Sequence, residues 1–283
     1  MDGHPAAPMH RLDTTVNIKA KGLLLNLLRT SPDHRWPVRI LIEVGLLFGI
    51  SENSIRVTLS RLRSDELIEQ DVRGHYRLNW DDDPVRDWIN NWSKGEGRTV
   101  DWDHKWLGVT PRKNLPIKSV RRLDKACYRL GFRTFCDGLW VRPNNLELTI
   151  PEINGLLEAM TGNIDLVISL SDEVYAAGEP QDLSSLWNRQ QLEKVYQDGV
   201  EQLSAWTKYL DAADEPVRLR DSFILGGEAI RRLALDPLLP AGMIDIGLRA
   251  AYTIKAKEFV TKYNKVWQAQ FGSDTIDNII SGS

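Results

Sequence analysis

The residues with the clearest chemical potential are concentrated in one short stretch, between Ser51 and Ser64. Arginine can pair bidentately with guanine and asparagine with adenine, while small side chains let a backbone approach the base edges. If the stretch is helical, one of its faces carries this mixture and almost no long aliphatic side chains. The side chains that we expect at a nucleic-acid groove are Ser51, Asn53, Ser54, Arg56, Val57, Ser60, Arg61 and Ser64, with Arg56 and Arg61 as the leading contacts.

The spacing of apolar residues predicts the helix that positions this face. Ile55, Leu59 and Leu62 recur at steps of four and three, so they form one stripe that must pack inward. Ser51 stands where an N-cap residue should be, and Glu52 adds negative charge at the positive end of the helix dipole. The polar face is therefore predicted to point outward.

A preceding helix is predicted to begin after Pro37, to run through Leu47 or Phe48 and to end at Gly49. An earlier apolar pattern over residues 16–30 predicts a supporting helix. The two helices around Gly49 form a helix-turn-helix unit, whose second helix can enter the major groove.

Behind the second helix, the alternation of residues from Ile68 to Leu78 predicts a hairpin with Gly74 in its turn. Arg73 and His75 would lie near the tip of this hairpin, and we count them among the DNA-binding residues. The order helix, turn, helix and hairpin is that of a winged helix-turn-helix, and it predicts a double-stranded DNA partner. The other interpretation is an ordinary solvated helix face.

Composition limits how such a protein could bind DNA. The net charge is −3 and the isoelectric point is near 6.0. These values exclude a binder that relies on diffuse positive charge and counterion release over the whole chain. Even between Ser51 and Asn79 the acids balance the arginines. Any DNA contact must therefore be local, with the arginines facing outward and the acids elsewhere.

The sequence predicts a cytoplasmic protein without a membrane anchor, a metal or a cofactor. Cys127 and Cys136 are too few for a disulfide framework and lack the partner pairs of a zinc site. The N-terminus has no signal-peptide core, and no apolar run is long enough to span a bilayer. The acidic residues 81–83 before Pro84 are interpreted as a linker and helix cap rather than a metal cluster.

The middle of the chain predicts a ferredoxin-like (split βαβ) domain, in the order strand, helix, strand, strand, helix, strand. The expected ranges are 105–110, 118–130, 132–136, 139–142, 151–160 and 165–170. The first of these helices lies in a basic region in which only Asp124 is acidic. This region fits either a phosphate-backbone contact or a solvated helix face, and its cations are Arg112, Lys113, Lys118, Arg121, Arg122, Lys125, Arg129 and Arg133.

Half of the ten tryptophans lie between residues 80 and 106. Rings of this size suggest a segment that wedges between domains and packs them together. A base-stacking platform is the alternative, and it would require exposed rings beside a basic groove. The five are Trp80, Trp88, Trp92, Trp102 and Trp106.

Beyond a boundary at Gly178–Pro180, residues 183–210, 215–235 and 239–271 are predicted to be helices. Their aromatic residues either line an organic-ligand pocket or fill a core. The expected fold class is α+β multidomain. Its three expected parts are a winged helix-turn-helix over residues 1–80, a linker and ferredoxin-like domain over 81–177, and an all-helical domain for effector binding and dimerisation over 178–283.

This order of parts resembles the PaaX-like repressors, regulators of phenylacetic acid degradation in bacteria. The residues that carry the resemblance are Ser54–Arg56, Ser60–Leu62, Gly74–Leu78, Gly131–Phe132, Gly138–Val141 and Asp236–Pro240. It implies a dimeric repressor of a catabolic operon that binds a pseudo-palindromic operator. It also implies release by a small-molecule effector, an acyl-CoA thioester such as phenylacetyl-CoA. Arg56 and Arg61 match arginines of the family's recognition helix.

The chain departs from the family pattern after Pro240, where residues 243–247 replace the usual proline and tryptophan before the glycine. Near this region, arginines can hold phosphates and an aromatic ring can stack on an acyl or adenine group. The effector-binding candidates are Arg220, Phe223, Arg231 and Arg232. Surface salt bridges explain the same arginines equally well.

We expect that the chain is not an enzyme. The alternative is a metal-dependent nucleic-acid-processing enzyme with a ferredoxin-like core, which needs grouped acidic ligands. Its nearest candidate ligand, Asp103, has no evident partner in the sequence. A scaffold that uses its winged helix to bind protein is a third interpretation.

Overall fold

The structure is a computed structural model that describes residues 18–30, 35–71, 74–79, 84–176 and 179–271. It is an α+β protein built from helices and antiparallel sheets. The chain divides into two compact units, Met1–Asn79 and Trp80–Ser283. The sequence predicts three domains; in the structure the middle and C-terminal segments belong to one compact unit.

The first unit has three helices and a three-stranded antiparallel sheet among its described residues. The strand order is β1-β3-β2. β1 was not predicted, because a three-residue strand that ends in proline has no alternation to detect. In chain order the elements are α1 (Ala20–Thr30), β1 (Arg35–Pro37), α2 (Val38–Leu47), α3 (Glu52–Ser64), β2 (Ile68–Gln70) and β3 (His75–Leu78).

One apolar core holds the first unit together. Ile55, Leu59 and Leu62 are at most 1% exposed, as the stripe in the sequence predicts. Four of the five leucines of α1 and Leu41 of α2 are buried to the same degree. The indole Nε1 of Trp36 donates a hydrogen bond to the Leu27 carbonyl at 2.8 Å, so β1 is tied to α1. Each fully buried leucine stabilises the fold by about 1.5–3 kcal/mol, which fixes which side of α3 faces inward.

The second unit begins with α4 (Pro84–Asn90) and a 3-10 helix (Asn91–Arg98) and continues into a four-stranded antiparallel sheet. The sheet order is β5-β6-β4-β7, and the predicted order of strands and helices is confirmed. Thr149 and Glu152 form a capping box at the start of the helix Ile150–Thr161. The elements are β4 (Trp106–Pro111), α5 (Ile117–Arg129), β5 (Arg133–Cys136), β6 (Leu139–Pro143), α6 (Ile150–Thr161) and β7 (Leu166–Ser171).

The C-terminal part contains long helices that pack on one another. It starts with two short strands, β8 (Tyr175–Ala176) and β9 (Glu179–Pro180), and a 3-10 helix (Leu183–Leu186). The helices are α7 (Arg189–Ala212), α8 (Glu215–Ala234) and α9 (Ile246–Phe271).

Two predicted helix boundaries in this part are wrong. The expected helix over 183–210 is interrupted, because the Asn188 side chain accepts a hydrogen bond from Gln191 N and caps a new helix. The expected helix over 239–271 begins only at Ile246. Residues 239–245 form a segment whose apolar members Leu239 and Ile244 are buried at 0% and 3% exposure, which gives them a helix-like apolar pattern without a helix.

The four described tryptophans of the 80–106 segment fill cores, and Trp80 lies outside the described residues. Trp88 is 6% exposed and packs beneath the sheet, while Trp92 is 3% exposed and packs among the long helices. Trp102 and Trp106 are partly buried against the same helical core. The segment therefore packs the sheet and the helices together, and the buried rings of Trp88 and Trp92 are inaccessible to bases.

A tight backbone contact joins the sheet to the segment before α9. A Cβ on Gly131, which has φ +82°, would lie 2.6 Å from the Pro237 carbonyl oxygen. The fully buried guanidinium of Arg142 donates to the carbonyls of Leu130 and Pro237, and burial lowers the pKa of Arg142 to about 9. Two of the motifs that carry the family resemblance, Gly131–Phe132 and Asp236–Pro240, thus meet here in a structural contact.

Candidate nucleic-acid interface

The start of α3 is capped as the sequence predicts. Ser51 Oγ accepts a hydrogen bond from Ser54 N at 3.3 Å and donates one to Ser54 Oγ at 2.9 Å. The Ser51 hydroxyl thus caps one free amide of the first turn, which typically contributes about 1 kcal/mol to helix stability. Ser51 and Ser54 therefore position the helix, and other side chains are better placed to contact a base.

The packing of α3 determines which side chains point outward. At about 100° per residue, the line opposite the buried stripe passes close to Asn53, Val57 and Ser64, and Ser60 and Arg61 lie about 50° to either side of it. All five are exposed, and we call them the outer face of α3. Arg56 lies nearly at a right angle to that line, on the flank of the helix.

The two leading arginines differ in their partners. The Arg56 guanidinium forms a salt bridge with Glu52, with an Nη2–Oε1 distance of 2.8 Å, and both side chains are more than half exposed. The Arg61 side chain has no ion pair or hydrogen bond with any residue that the structure describes. The sequence gives no reason to distinguish these two arginines, but the structure does. The guanidinium N–H donors of Arg61 are available to a ligand, whereas Arg56 already uses some of its donors for Glu52.

Three described acids of this unit form ion pairs away from the outer face. Asp65 lies 3.8 Å from Lys21 Nζ, and Arg77 pairs with Glu69 across the hairpin. With Glu52 held by Arg56, no acid lies on the outer face. The arrangement meets the condition that the charge balance imposes, since the free positive charge of Arg61 faces outward.

Sequence reasoning missed Arg63, whose Nη1 donates to Gln70 Oε1 at 3.2 Å. This hydrogen bond links α3 to β2, seven residues further along the chain. No periodicity in the sequence joins a helix residue to a strand residue at that separation. Arg63 carries the same charge as Arg61, but it lies on the flank of α3 opposite to Ser54.

The predicted hairpin is present, with Gly74 at φ +78° in its turn. Asp71 N donates to His75 O at 2.9 Å, and the Asp71 carboxylate accepts from His75 N at 2.9 Å. His75 begins β3, and its side chain is only 34% exposed beside Asp71. His75 therefore lies at the base of the turn. Arg73 lies outside the described residues.

Gly45 sets how closely α2 and α3 approach. A Cβ at this position would lie 2.6 Å from Ile55 Cγ1, closer than real Cβ contacts. Ile50 N donates to the Gly45 carbonyl at 2.9 Å, and Gly49 turns the chain at φ +72°. The orientation of the outer face depends on this close approach, which the sequence does not reveal because a glycine inside an apolar helix has no distinct pattern.

The four effector-binding candidates are engaged with neighbouring side chains. Arg220 Nε lies 2.7 Å from Asp221 Oδ1. Phe223 packs against Trp267 with a centroid distance of 5.5 Å. The arginines and the ring thus have structural partners, and Arg220 uses a different carboxylate from the other two arginines.

Arg231 and Arg232 converge on one acid. Their Nε atoms lie 2.9 and 3.0 Å from the carboxylate oxygens of Glu228. Arg232 Nη1 also donates to Gln202 Oε1 at 2.8 Å. These contacts match the salt-bridge interpretation of the two arginines.

Asp103, the ligand considered for metal-dependent cleavage, stabilises a turn. It accepts hydrogen bonds from Lys105 N at 3.0 Å and from Asn144 Nδ2 at 2.9 Å. Across the described ranges, no three or more His, Cys, Asp or Glu side chains are grouped so that they could hold a metal ion. Residues 81–83 lie outside those ranges. None of the helices in the described part is both long and apolar enough to cross a bilayer.

Comparison with known proteins shows a likeness to a solved structure. No family model and no curated protein matches the chain. Among solved structures, the chain is similar to the uncharacterized protein Rv0674 from Mycobacterium tuberculosis, with 20% identity and a TM-score of 0.55. The likeness covers 88% of this chain and 99% of that one. At this identity it is a likeness of fold.

Proposed function

We propose that this chain is a transcriptional regulator that reads double-stranded DNA through α3. In this proposal the first unit is a winged helix-turn-helix, the four-stranded sheet with α5 and α6 is a ferredoxin-like domain, and α7–α9 form an effector and dimerisation domain. The observation that supports it most strongly is the outer face of α3, which is exposed, contains no acid and carries the Arg61 guanidinium, which pairs with no described residue. A helix of this kind followed by a hairpin fits the major groove.

Each residue of the outer face has a chemical role in this proposal. Arg61 pairs bidentately with guanine O6 and N7, and Asn53 with adenine N6 and N7. Val57, which is 40% exposed, contacts a thymine methyl group. Ser60 and Ser64 are small enough to let the helix approach the bases. Each good bidentate pair discriminates against the wrong base by about 1–3 kcal/mol.

Arg56 contributes differently, because its guanidinium is held by Glu52. To contact a base or phosphate it must exchange one partner for another, so its net contribution is smaller than that of Arg61. Glu52→Gln removes this competing carboxylate, whose negative charge would also lie beside the DNA. We expect this variant to bind all duplexes more tightly than the wild type, and an affinity equal to or weaker than the wild type would contradict the assignment.

The regulator is proposed to act as a homodimer on a pseudo-palindromic operator. Two copies of α3 would then occupy half-sites about 34–36 Å apart, one helical turn of DNA. A small-molecule effector, proposed as an acyl-CoA thioester such as phenylacetyl-CoA, would favour an arrangement in which this spacing no longer fits. Repression of a catabolic operon would be relieved when the effector accumulates.

Fluorescence anisotropy on a duplex from the region upstream of the gene tests the DNA assignment. We expect the wild type to prefer this duplex over an unrelated one by at least about 10³-fold. Arg61→Ala should lose about 1–3 kcal/mol of that preference. Arg63→Ala, which removes the same charge from the flank of α3, should weaken binding to both duplexes equally. Equal affinity of the wild type for both duplexes at every salt concentration would overturn the proposal.

The effector assignment needs a separate measurement. A compound that binds the native state raises its melting temperature, by an amount that grows with concentration above Kd. Phenylacetyl-CoA, coenzyme A and phenylacetate should be compared for thermal stabilisation and for release of the upstream duplex. Release by the thioester alone supports the acyl-CoA assignment. Release by none of the three contradicts it and leaves the DNA-binding result unaffected.

A further inference from the structure

A row of cations runs along the exposed face of α5, and we call it the α5 stripe. Its members follow one another at steps of three, one, three and four, so they share one side of the helix. All five are exposed, and with Ala126 and Met160 they line a shallow open depression of about 250 Å³. The stripe consists of Lys118, Arg121, Arg122, Lys125 and Arg129.

The charge of the stripe is not neutralised by the described part of the chain. None of its five side chains has an ion pair or hydrogen bond with a described residue. Asp124, the one acid of α5, is turned to the sheet, where it accepts hydrogen bonds from Trp140 Nε1 at 2.9 Å and Thr134 Oγ1 at 3.2 Å. Like charges three and four residues apart destabilise a helix, so the stripe is maintained at the expense of folding stability.

Two of the three other cations of this basic region have structural partners. Arg112 Nε lies 3.7 Å from Asp165 Oδ2. The Arg133 guanidinium stacks 4.4 Å from the centre of the Tyr128 ring and donates to the Phe132 carbonyl at 2.8 Å. The structure therefore separates the stripe from the cations that have structural partners, a distinction that the sequence does not make.

The shape of the stripe favours a linear polyanion. From Lys118 to Arg129 the helix rises about 16 Å, at 1.5 Å per residue. One strand of a duplex places a phosphate about every 3.4 Å along its axis, so the stripe runs beside about five of them. Pockets for small organic ligands are about 300–1,000 Å³, largely enclosed, and lined by apolar and aromatic side chains. The depression on α5 is open and has no aromatic residue in its lining.

We propose that the α5 stripe is a second DNA-docking surface, which binds the phosphate backbone of a duplex without reading its sequence. This inference rests on the proposed function, because it assigns the same DNA a second contact in addition to α3. Backbone contacts position a protein and supply non-specific affinity, whereas base contacts specify the site. The stripe would let the protein hold unrelated DNA while α3 samples it.

The test removes three charges from the stripe in Lys118→Gln/Arg121→Gln/Lys125→Gln. Its matched control, Arg189→Gln/Lys208→Gln/Lys265→Gln, removes one arginine and two lysines from exposed positions on α7 and α9. Affinity for an unrelated duplex and for the upstream duplex is measured between 50 and 200 mM salt. Each phosphate contact that is lost lowers the slope of log K against log salt by about 0.9. We expect the stripe variant to lose about 2–3 from this slope on both duplexes, with its preference between them unchanged.

Three outcomes would overturn the proposal. The first is that the stripe variant keeps the salt slope of its control on both duplexes, which would show that α5 does not touch DNA. The second is that the stripe variant loses sequence preference while its salt slope on unrelated DNA is unchanged. The third is that coenzyme A raises the melting temperature of the wild type and not of the stripe variant, while both proteins bind DNA equally, which would make the stripe a nucleotide site. Failure of the proposed function can be distinguished from failure of this inference. The proposed function is tested by the effect of Arg61→Ala on sequence preference, and the inference is tested by the effect of the stripe variant on the salt slope.

Discussion

Replacement of Arg249 by methionine should destabilise the second unit severely. The Arg249 guanidinium lies at the centre of a buried ion cluster, where its Nε and Nη2 atoms donate to the two carboxylate oxygens of Glu96 at 2.7 and 2.6 Å. Its Nη1 atom lies 3.7 Å from Asp236 Oδ1 and donates to the Leu239 carbonyl at 2.9 Å. Burial alone would lower the pKa of Arg249, but the hydrogen bonds to Glu96 and the charge of Asp236 raise it.

The magnitude follows from what the methionine leaves behind. The carboxylate of Asp236 is 3% exposed and would lose its one ion pair within 4 Å among the described residues, although Tyr196 Oη and Leu238 N still donate to it, each at 2.7 Å. Breaking a buried pair from one side costs about 3–5 kcal/mol. Glu96 is 35% exposed and can be rehydrated in part, so we expect the lower end, about 3 kcal/mol. For a unit of about 200 residues this corresponds to a fall in Tm of about 6–12 °C.

Tryptophan fluorescence is the appropriate assay, because nine of the ten tryptophans lie in the second unit. Arg189→Met is the matched control, since it breaks an exposed salt bridge to Glu193, of a class that contributes about 0–1 kcal/mol. Adding Glu96→Gln to Arg249→Met should recover part of the loss by removing one unpaired charge. A Tm for Arg249→Met within about 2 °C of the Arg189→Met value would refute the reasoning.

Two further predictions concern close packing and burial. Gly45→Ala would force its new methyl group into Ile55, so it should lower the free energy of urea unfolding by about 1–3 kcal/mol and weaken operator binding. Gly22→Ala, whose Cβ meets nothing within 4 Å, should lower neither the stability nor the affinity. Full operator affinity in Gly45→Ala would contradict this account. Cys127 is 0% exposed and burial raises the pKa of its thiol, so a thiol reagent should modify the exposed Cys136 first. Modification of both cysteines at the same rate in the native protein would contradict this prediction.

The sequence predicted those parts of the fold that depend on local pattern. The stripe of Ile55, Leu59 and Leu62 identified the inner side of α3, and the turn at Gly74 identified the hairpin. Both signals come from residues a few positions apart, so they need no knowledge of distant contacts. The same is true of the strand and helix order around α5 and α6, where each element has its own periodicity.

The remaining features depend on residues far apart in the chain. The loop before α9 has an apolar pattern because it is buried, and a buried loop and a buried helix look alike in sequence. Arg142 reaches the Pro237 carbonyl, 95 residues away, and no spacing rule anticipates that contact. The candidate site shows the same limit, since the pairing of Arg56 with Glu52 and the freedom of Arg61 decide which arginine is available.

The central claim is that Arg61 reads a base from the outer face of α3. It is tested most directly by selecting duplexes from a random library with the wild type and with Arg61→Ala and sequencing what each retains. The account predicts a pseudo-palindrome for the wild type, with half-sites about 10 base pairs apart, and loss of one guanine preference in each half-site for Arg61→Ala. The account would be contradicted if the wild type enriched no motif. It would also be contradicted if Arg61→Ala enriched the same motif as the wild type at every position.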